Sequence, residues 1–117
     1  MLIGELSKKT NVSRDTIRYY EKLGLIKANK KGRRENNYRE YQESDLNRLQ
    51  LILLLKEYGF TLNDINSIMN QMEDDRDEAY KDLPGRIELR LAEIEAKMNE
   101  LLGFKQKLTE LLNAFKS

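Results

Sequence analysis

The chain has 117 residues, 35% charged and 39% hydrophobic, with 21 Lys/Arg against 20 Asp/Glu and a net charge of +1. That is one domain's worth of core, or one small domain with an extension, in a composition that favours a soluble, helix-rich protein. It has no Cys and no His, which excludes disulfides, thiolate or imidazole metal centres, iron–sulfur clusters and Ser/His or Cys/His nucleophile–base pairs.

The glycines form no phosphate-cradling pattern and no preorganised carboxylate pair stands out, so neither an enzyme nor a cofactor is expected. The longest strictly apolar run, residues 51–55, is far too short for a bilayer, and Glu5, Lys8 and Lys9 interrupt any signal-peptide core. A cytoplasmic protein is expected. The charge is uneven. Residues 1–60 hold 13 Lys/Arg against 8 Asp/Glu, and residues 61–117 hold 8 against 12. A basic half beside an acidic half points to a polyanion-binding head on a soluble stalk.

In chain order, Ile3, Gly4, Glu5 and Leu6 open a short amphipathic helix running to about Lys9, with Ile3 and Leu6 inward. Thr10, Asn11 and Val12 form a tight connection, Asn occupying a turn position. A second short helix follows over residues 13–20. Ser13 suits its N-cap and Asp15 the positive end of its dipole. Ile17 and one of Tyr19 and Tyr20 supply the apolar edge. Arg14 and Arg18, four apart, share a face. Side by side they repel unless an anion lies between them, and Arg forks match guanine edges and phosphates. Two short helices joined by about three residues make a helix-turn-helix, whose second helix enters the DNA major groove. The pattern stops at Gly24, a left-handed cap, after which Leu23, Leu25 and Ile26 return the chain to the core.

Residues 27–41 carry Lys27, Lys30, Lys31, Arg33, Arg34 and Arg39, opposed by Glu35 and Glu40. Turn formers lie in the middle, and residues 38–41 alternate like a strand. This reads as a basic β-hairpin wing placed to straddle the DNA backbone. Residues 45–58 form a helix with a stripe of Leu46, Leu49, Ile52, Leu53 and Leu55, capped by Ser44 or Gln42 and ended by Gly59. Thr61 caps the next helix, with Asp64 in its first turn and Leu62, Ile65, Ile68, Met69 and Met72 on its apolar side.

Residues 73–82 hold almost no core formers and read as a polar helix extension or a loop. Their acidic cluster lacks the spacing and central Gly of an EF-hand loop. Pro84 suits the first turn of a long helix reaching about Phe115, some 48 Å at about 1.5 Å per residue. Ile87, Leu91, Ile94, Met98, Leu101, Lys105, Leu108, Leu112 and Phe115 alternate by four and three, the seam of a coiled coil with one charged interruption. Leu89, Leu102, Phe104 and Leu111 flank it. A small head cannot cover such a seam, and the simplest partner is a second copy.

Five stretches, taken together and in order, resemble the MerR family of bacterial transcriptional regulators. They are Ile3-Gly4-Glu5-Leu6-Ser7; Val12-Ser13-x-x-Thr16-Ile17-Arg18-Tyr19-Tyr20-Glu21-x-x-Gly24-Leu25-Ile26; Asn37-Tyr38-Arg39-x-Tyr41; Asp45-Leu46-x-Arg48-Leu49; and Gly59-Phe60-Thr61-Leu62-x-Asp64-Ile65. The resemblance covers about the first seventy residues. It implies a mainly α fold with a winged helix-turn-helix DNA-binding domain over residues 1–72, a polar connector over 73–83 and a coiled-coil dimerisation helix over 84–117. It further implies a homodimer joined by antiparallel terminal helices and bound to a palindromic operator on double-stranded DNA. Such a regulator distorts promoter DNA so that RNA polymerase can use it. Ser13, Arg14, Thr16, Arg18 and Tyr19 would face DNA from the recognition helix, Tyr38 and Arg39 from the wing, and Lys56 a phosphate from the third helix.

The departures from the family matter too. Metal- and redox-sensing members carry Cys around the end of the dimerisation helix, and this chain has none. Drug-sensing members carry a large effector domain after this helix; either such a domain lies outside these 117 residues, or this is a small member with no separate domain. An architectural or recombination-accessory DNA-binding protein is the alternative with the same head. A coiled-coil interaction protein with a vestigial helix-turn-helix fits the intact arginines and basic wing less well.

Overall fold

The structure, a computed structural model, describes residues 1–27 and 40–117. The described elements are α1 (Ile3–Thr10), α2 (Arg14–Lys22), α3 (Glu43–Glu57), α4 (Leu62–Asp74) and α5 (Arg76–Lys116). They fall into two compact units, residues 1–74 and residues 75–117. The expected wing lies, from residue 28 to residue 39, outside the described residues.

Local chemistry sets the ends of the helices in the first unit. Asn11, at φ 58°, closes α1 in the left-handed region that Asn tolerates better than most side chains. The Val12 N–H then reaches back to the Ser7 carbonyl. Gly24, at φ 80°, closes α2. Its N–H bonds the Glu21 carbonyl at 3.0 Å and the Leu25 N–H bonds the Tyr20 carbonyl at 2.9 Å. This is the paired pattern that satisfies the last carbonyls of a helix. Gly59, at φ 90°, does the same for α3. A side chain at either glycine would meet the steric penalty of the left-handed region.

The N-termini are capped as well. The Ser13 Oγ accepts from the Thr16 N–H at 3.1 Å. α3 begins two residues before the expected Asp45, behind Gln42, whose N–H donates to the Asp45 carboxylate at 2.7 Å. Thr61 and Asp64 bond reciprocally: the Asp64 N–H donates to the Thr61 Oγ1 at 3.1 Å, and the Thr61 N–H to the Asp64 carboxylate at 3.3 Å. That is a capping box built with Asp in place of Glu.

The core of this unit is Leu6, Ile17, Tyr20, Leu25, Ile26, Tyr41, Leu46, Leu49, Ile52, Leu55, Ile65, Ile68 and Met69, all buried. α1 packs against α2 and α3, and α3 packs against α4. Leu23 departs from expectation and stays exposed. Helical phase carries it past the edge defined by Ile17 and Tyr20, and the reversal at Gly24 then turns Leu25 and Ile26 inward. Tyr41 anchors the return of the chain. Its N–H donates to the Met1 carbonyl at 2.7 Å, and the Met1 ammonium donates to the Tyr41 carbonyl at 2.7 Å. Its hydroxyl donates to the Glu21 carboxylate at 3.2 Å.

The second unit is a single helix of 41 residues, about 60 Å long at 1.5 Å per residue. It begins at Arg76, not at Pro84, and Pro84 lies inside it. The Asp75 carboxylate caps it by accepting from the Glu78 N–H at 3.2 Å, and Asp77 and Glu78 sit in its first turn. These acidic groups meet the positive end of the dipole and start the helix before proline is reached. The polar stretch of residues 73–83 is therefore helical except at Asp75.

Candidate nucleic-acid interface

The two edges of α2 differ sharply. Ile17 and Tyr20 are buried, whereas Arg14, Arg18 and Tyr19 are exposed. Tyr19 and Tyr20 lie with ring centroids 6.2 Å apart and planes tilted by 42°. The sequence left open which tyrosine turns inward, and it is Tyr20. Burial first, and the neighbouring Tyr19 second, push the Tyr20 phenol above its ordinary pKa.

The polar groups at the start of α2 are bonded among themselves. The Ser13 hydroxyl donates to the Thr16 hydroxyl at 2.9 Å while accepting from the Thr16 N–H. Each hydroxyl keeps spare acceptor capacity.

Arg14 and Arg18 do not stand together as the spacing alone suggests. Arg18 turns to Asp15, with an Nη1–Oδ1 distance of 3.1 Å in a well-exposed pair. Such a pair is worth about 0–1 kcal/mol. It relieves the expected repulsion without any external anion, and it leaves guanidinium donors open. Arg14 turns instead toward α1. A Cβ built on Gly4 would lie 2.8 Å from Arg14 Nη2 and 3.4 Å from its Cζ. Gly4, Lys8, Asn11, Ser13 and Arg14 all line one depression on the surface of the head.

An arginine at the first position of a helix sits where the dipole disfavours positive charge. Its place at the start of α2 therefore adds nothing to helix stability, and its fork of donors shares one depression with Ser13. Such a set can hydrogen-bond base edges and phosphate oxygens.

Lys56 is exposed in the last turn of α3, where its charge also suits the negative end of the helix dipole. Tyr38 and Arg39 lie outside the described residues. In the second unit the seam residues Ile87, Leu91, Met98, Leu101, Leu108, Leu112 and Phe115 are exposed in the single chain, from 42% at Ile87 to 83% at Phe115, and Ile94 is half-buried. Leu89, Leu102, Phe104 and Leu111 are exposed too. Among the described residues no helix is long and apolar enough to cross a membrane.

Two features of the interface were not legible in the sequence. Gly4 lies ten positions before the arginine it accommodates, and nothing in its own segment marks the contact. Arg48 belongs to one of the family-like stretches, but its position along the chain does not tell what it binds. Its Nε donates to the Leu25 carbonyl and its Nη1 to the Glu73 carboxylate, tying the end of α2 and the end of α4 to α3.

Comparison with known proteins agrees with this geometry. Residues 1–72 match the family described as MerR HTH family regulatory protein, and residues 46–111 match the family described as MerR, DNA binding. Over 110 residues the chain is 39% identical to the mercuric resistance operon regulatory protein of Bacillus cereus, covering 93% of this chain and 80% of that one. Over 112 residues it is 37% identical to the HTH-type transcriptional regulator ZntR of Escherichia coli K12, covering 96% and 78%. Among solved structures it resembles the transcription regulator PbrR691 from Ralstonia metallidurans CH34 in complex with lead(II). There the TM-score is 0.80 at 32% identity, covering 95% of this chain and 84% of that one. The names of two of these relatives involve mercury or lead. The 117 residues here offer such an ion no thiolate and no imidazole, the ligands soft metals favour, and so do not fit one.

Proposed function

This chain belongs to the MerR family of DNA-binding transcriptional regulators, proteins that act as dimers and are not enzymes, and from that premise we propose that it reads a palindromic operator through α2. The observation that carries this is the exposed edge of α2, which bears Arg14, Arg18 and Tyr19, with the Ser13 and Thr16 hydroxyls bonded to each other at its start, while Ile17 and Tyr20 anchor the opposite edge. Arg14, Thr16 and Arg18 read base edges. Tyr38, Arg39 and Lys56 hold phosphates and set the register. Two copies pair through an antiparallel coiled coil along the α5 seam, which presents one reading helix to each half-site. In the cytoplasm the bound dimer distorts promoter DNA for RNA polymerase.

The test is selection of binding sites from random duplex DNA at about 150 mM salt, where non-specific electrostatic binding is already weakened. Recovery of an inverted repeat supports the proposal. Binding at low salt with no enriched sequence would favour an architectural DNA-binding protein.

A further inference from the structure

Gly4 sits in the second position of α1, a place where any helix-favouring side chain would fit the backbone. Its φ is not in the left-handed region, so no conformational demand keeps it Gly. What distinguishes the position is the space above it. A Cβ there would meet Arg14 at 2.8 Å from Nη2, 3.4 Å from Cζ and 3.7 Å from Nε, so the Nη2 end of the guanidinium occupies the space that a side chain at Gly4 would take. Lys8 and Ser13 line the same depression.

We infer that Gly4 is a positioning residue for DNA reading: its missing side chain lets the Arg14 guanidinium lie against α1, and this aims the donor fork. The inference rests on the proposed role of Arg14. A Cβ carbon cannot approach another heavy atom as closely as 2.8 Å without displacing it. The atom displaced here is the free end of a flexible side chain, so the fold yields easily. The direction of the fork does not survive, because an arginine reads a base only when both donors meet their acceptors in one plane. Gly4 thus acts on specificity while contributing nothing to the core. Its replacement separates the two properties, since Ala is the better helix former.

The experiment measures wild type, Gly4→Ala, Arg14→Ala and the double variant. Each is tested against the duplex selected by the wild type and against a scrambled duplex, alongside its thermal midpoint. The expected result for Gly4→Ala is a loss of affinity for the selected duplex of about tenfold, within the range a misplaced bidentate contact costs. Binding to the scrambled duplex should be little changed and the thermal midpoint equal or higher. In the Arg14→Ala background the Gly4→Ala change should have no further effect, because coupled residues are not additive. If Arg14→Ala loses specificity while Gly4→Ala reads like wild type, the inference is overturned and the role of Arg14 stands. If Arg14→Ala itself leaves the selected duplex tightly bound, the role of Arg14 falls and the inference with it. A lowered midpoint with equal loss on both duplexes would make Gly4 a purely structural position and would also overturn the inference.

Discussion

Arg48 and Glu73, 25 positions apart, meet through a short guanidinium–carboxylate contact, and the same guanidinium also holds the Leu25 carbonyl. The Arg48 side chain is only 18% exposed and that of Glu73 55%. The larger share of the bond's value therefore lies on the Leu25 side, where loss of the donor strands a partly buried carbonyl. Arg48→Met is expected to destabilise the protein by about 1–3 kcal/mol, and Glu73→Gln by less than about 1 kcal/mol, as befits a solvent-screened partner. Urea denaturation of both variants checks the order. Equal losses would mean that the ion pair itself, and not the carbonyl, is the main link.

DNA reading and DNA holding should separate by residue. Arg14→Ala is expected to relax preference at one base pair by about 1–3 kcal/mol. Lys56→Ala should weaken every sequence alike and reduce the slope of log affinity against log salt by about one unit. Titrations against matched, mismatched and random duplexes at several salt concentrations decide both. Uniform weakening by Arg14→Ala would reassign it to a phosphate.

The α5 seam exposes Leu101 at 64% and Leu108 at 63% in the single chain. Burying a leucine is worth about 1.5–3 kcal/mol, and both copies contribute. The double change Leu101→Asp with Leu108→Asp is expected to raise the dimer dissociation constant by at least about a thousandfold. Sedimentation equilibrium reads this directly. A wild-type protein that sediments as a monomer would sink the seam as a dimer interface.

Pro84 provides no N–H for the Tyr80 carbonyl four residues earlier, and it lies within α5. Proline in a helix interior costs about 3 kcal/mol relative to alanine. Pro84→Ala is therefore expected to raise the thermal midpoint and the helical signal in far-UV circular dichroism. An unchanged midpoint would show that the helix bends around the missing bond without loss.

Tyr20 makes stability depend on alkaline pH. Burial, and then Tyr19, raise its phenol pKa above the ordinary value of 10.0. The folded state thus holds this proton more tightly than the unfolded chain does. The stabilisation is complete below pH 10.0 and is lost as pH rises through the folded value. Urea midpoints measured on either side of pH 10 should fall more steeply for the wild type than for Tyr20→Phe. Parallel curves would show that Tyr20 does not titrate differently in the two states.

The helices, their caps and the α5 seam were legible because their signals are local. Ser13, Thr61 with Asp64, and Gly24 act within a few residues of where they stand, and seam periodicity needs only one helix. Proline 84 misled for the same reason. A proline suits a first turn as well as it interrupts an interior, and the acidic cap at Asp75, eight residues of helix before the proline and 32 beyond it outweigh one lost bond. The arginines of the candidate site were visible as a pattern, but their directions were not. Asp15 draws Arg18 away by an ion pair within one turn, and Gly4 receives Arg14 across the turn between two helices.

The sequence by itself determined the helical order, the basic head and the apolar seam, because charge and periodicity are properties of the chain. Only the tertiary structure decided that Tyr20 rather than Tyr19 turns inward, that Arg48 joins Leu25 to Glu73, that Met1 pairs with Tyr41 and that Gly4 seats Arg14. Each of these contacts depends on packing between elements, where burial and distance are set by residues far apart along the chain.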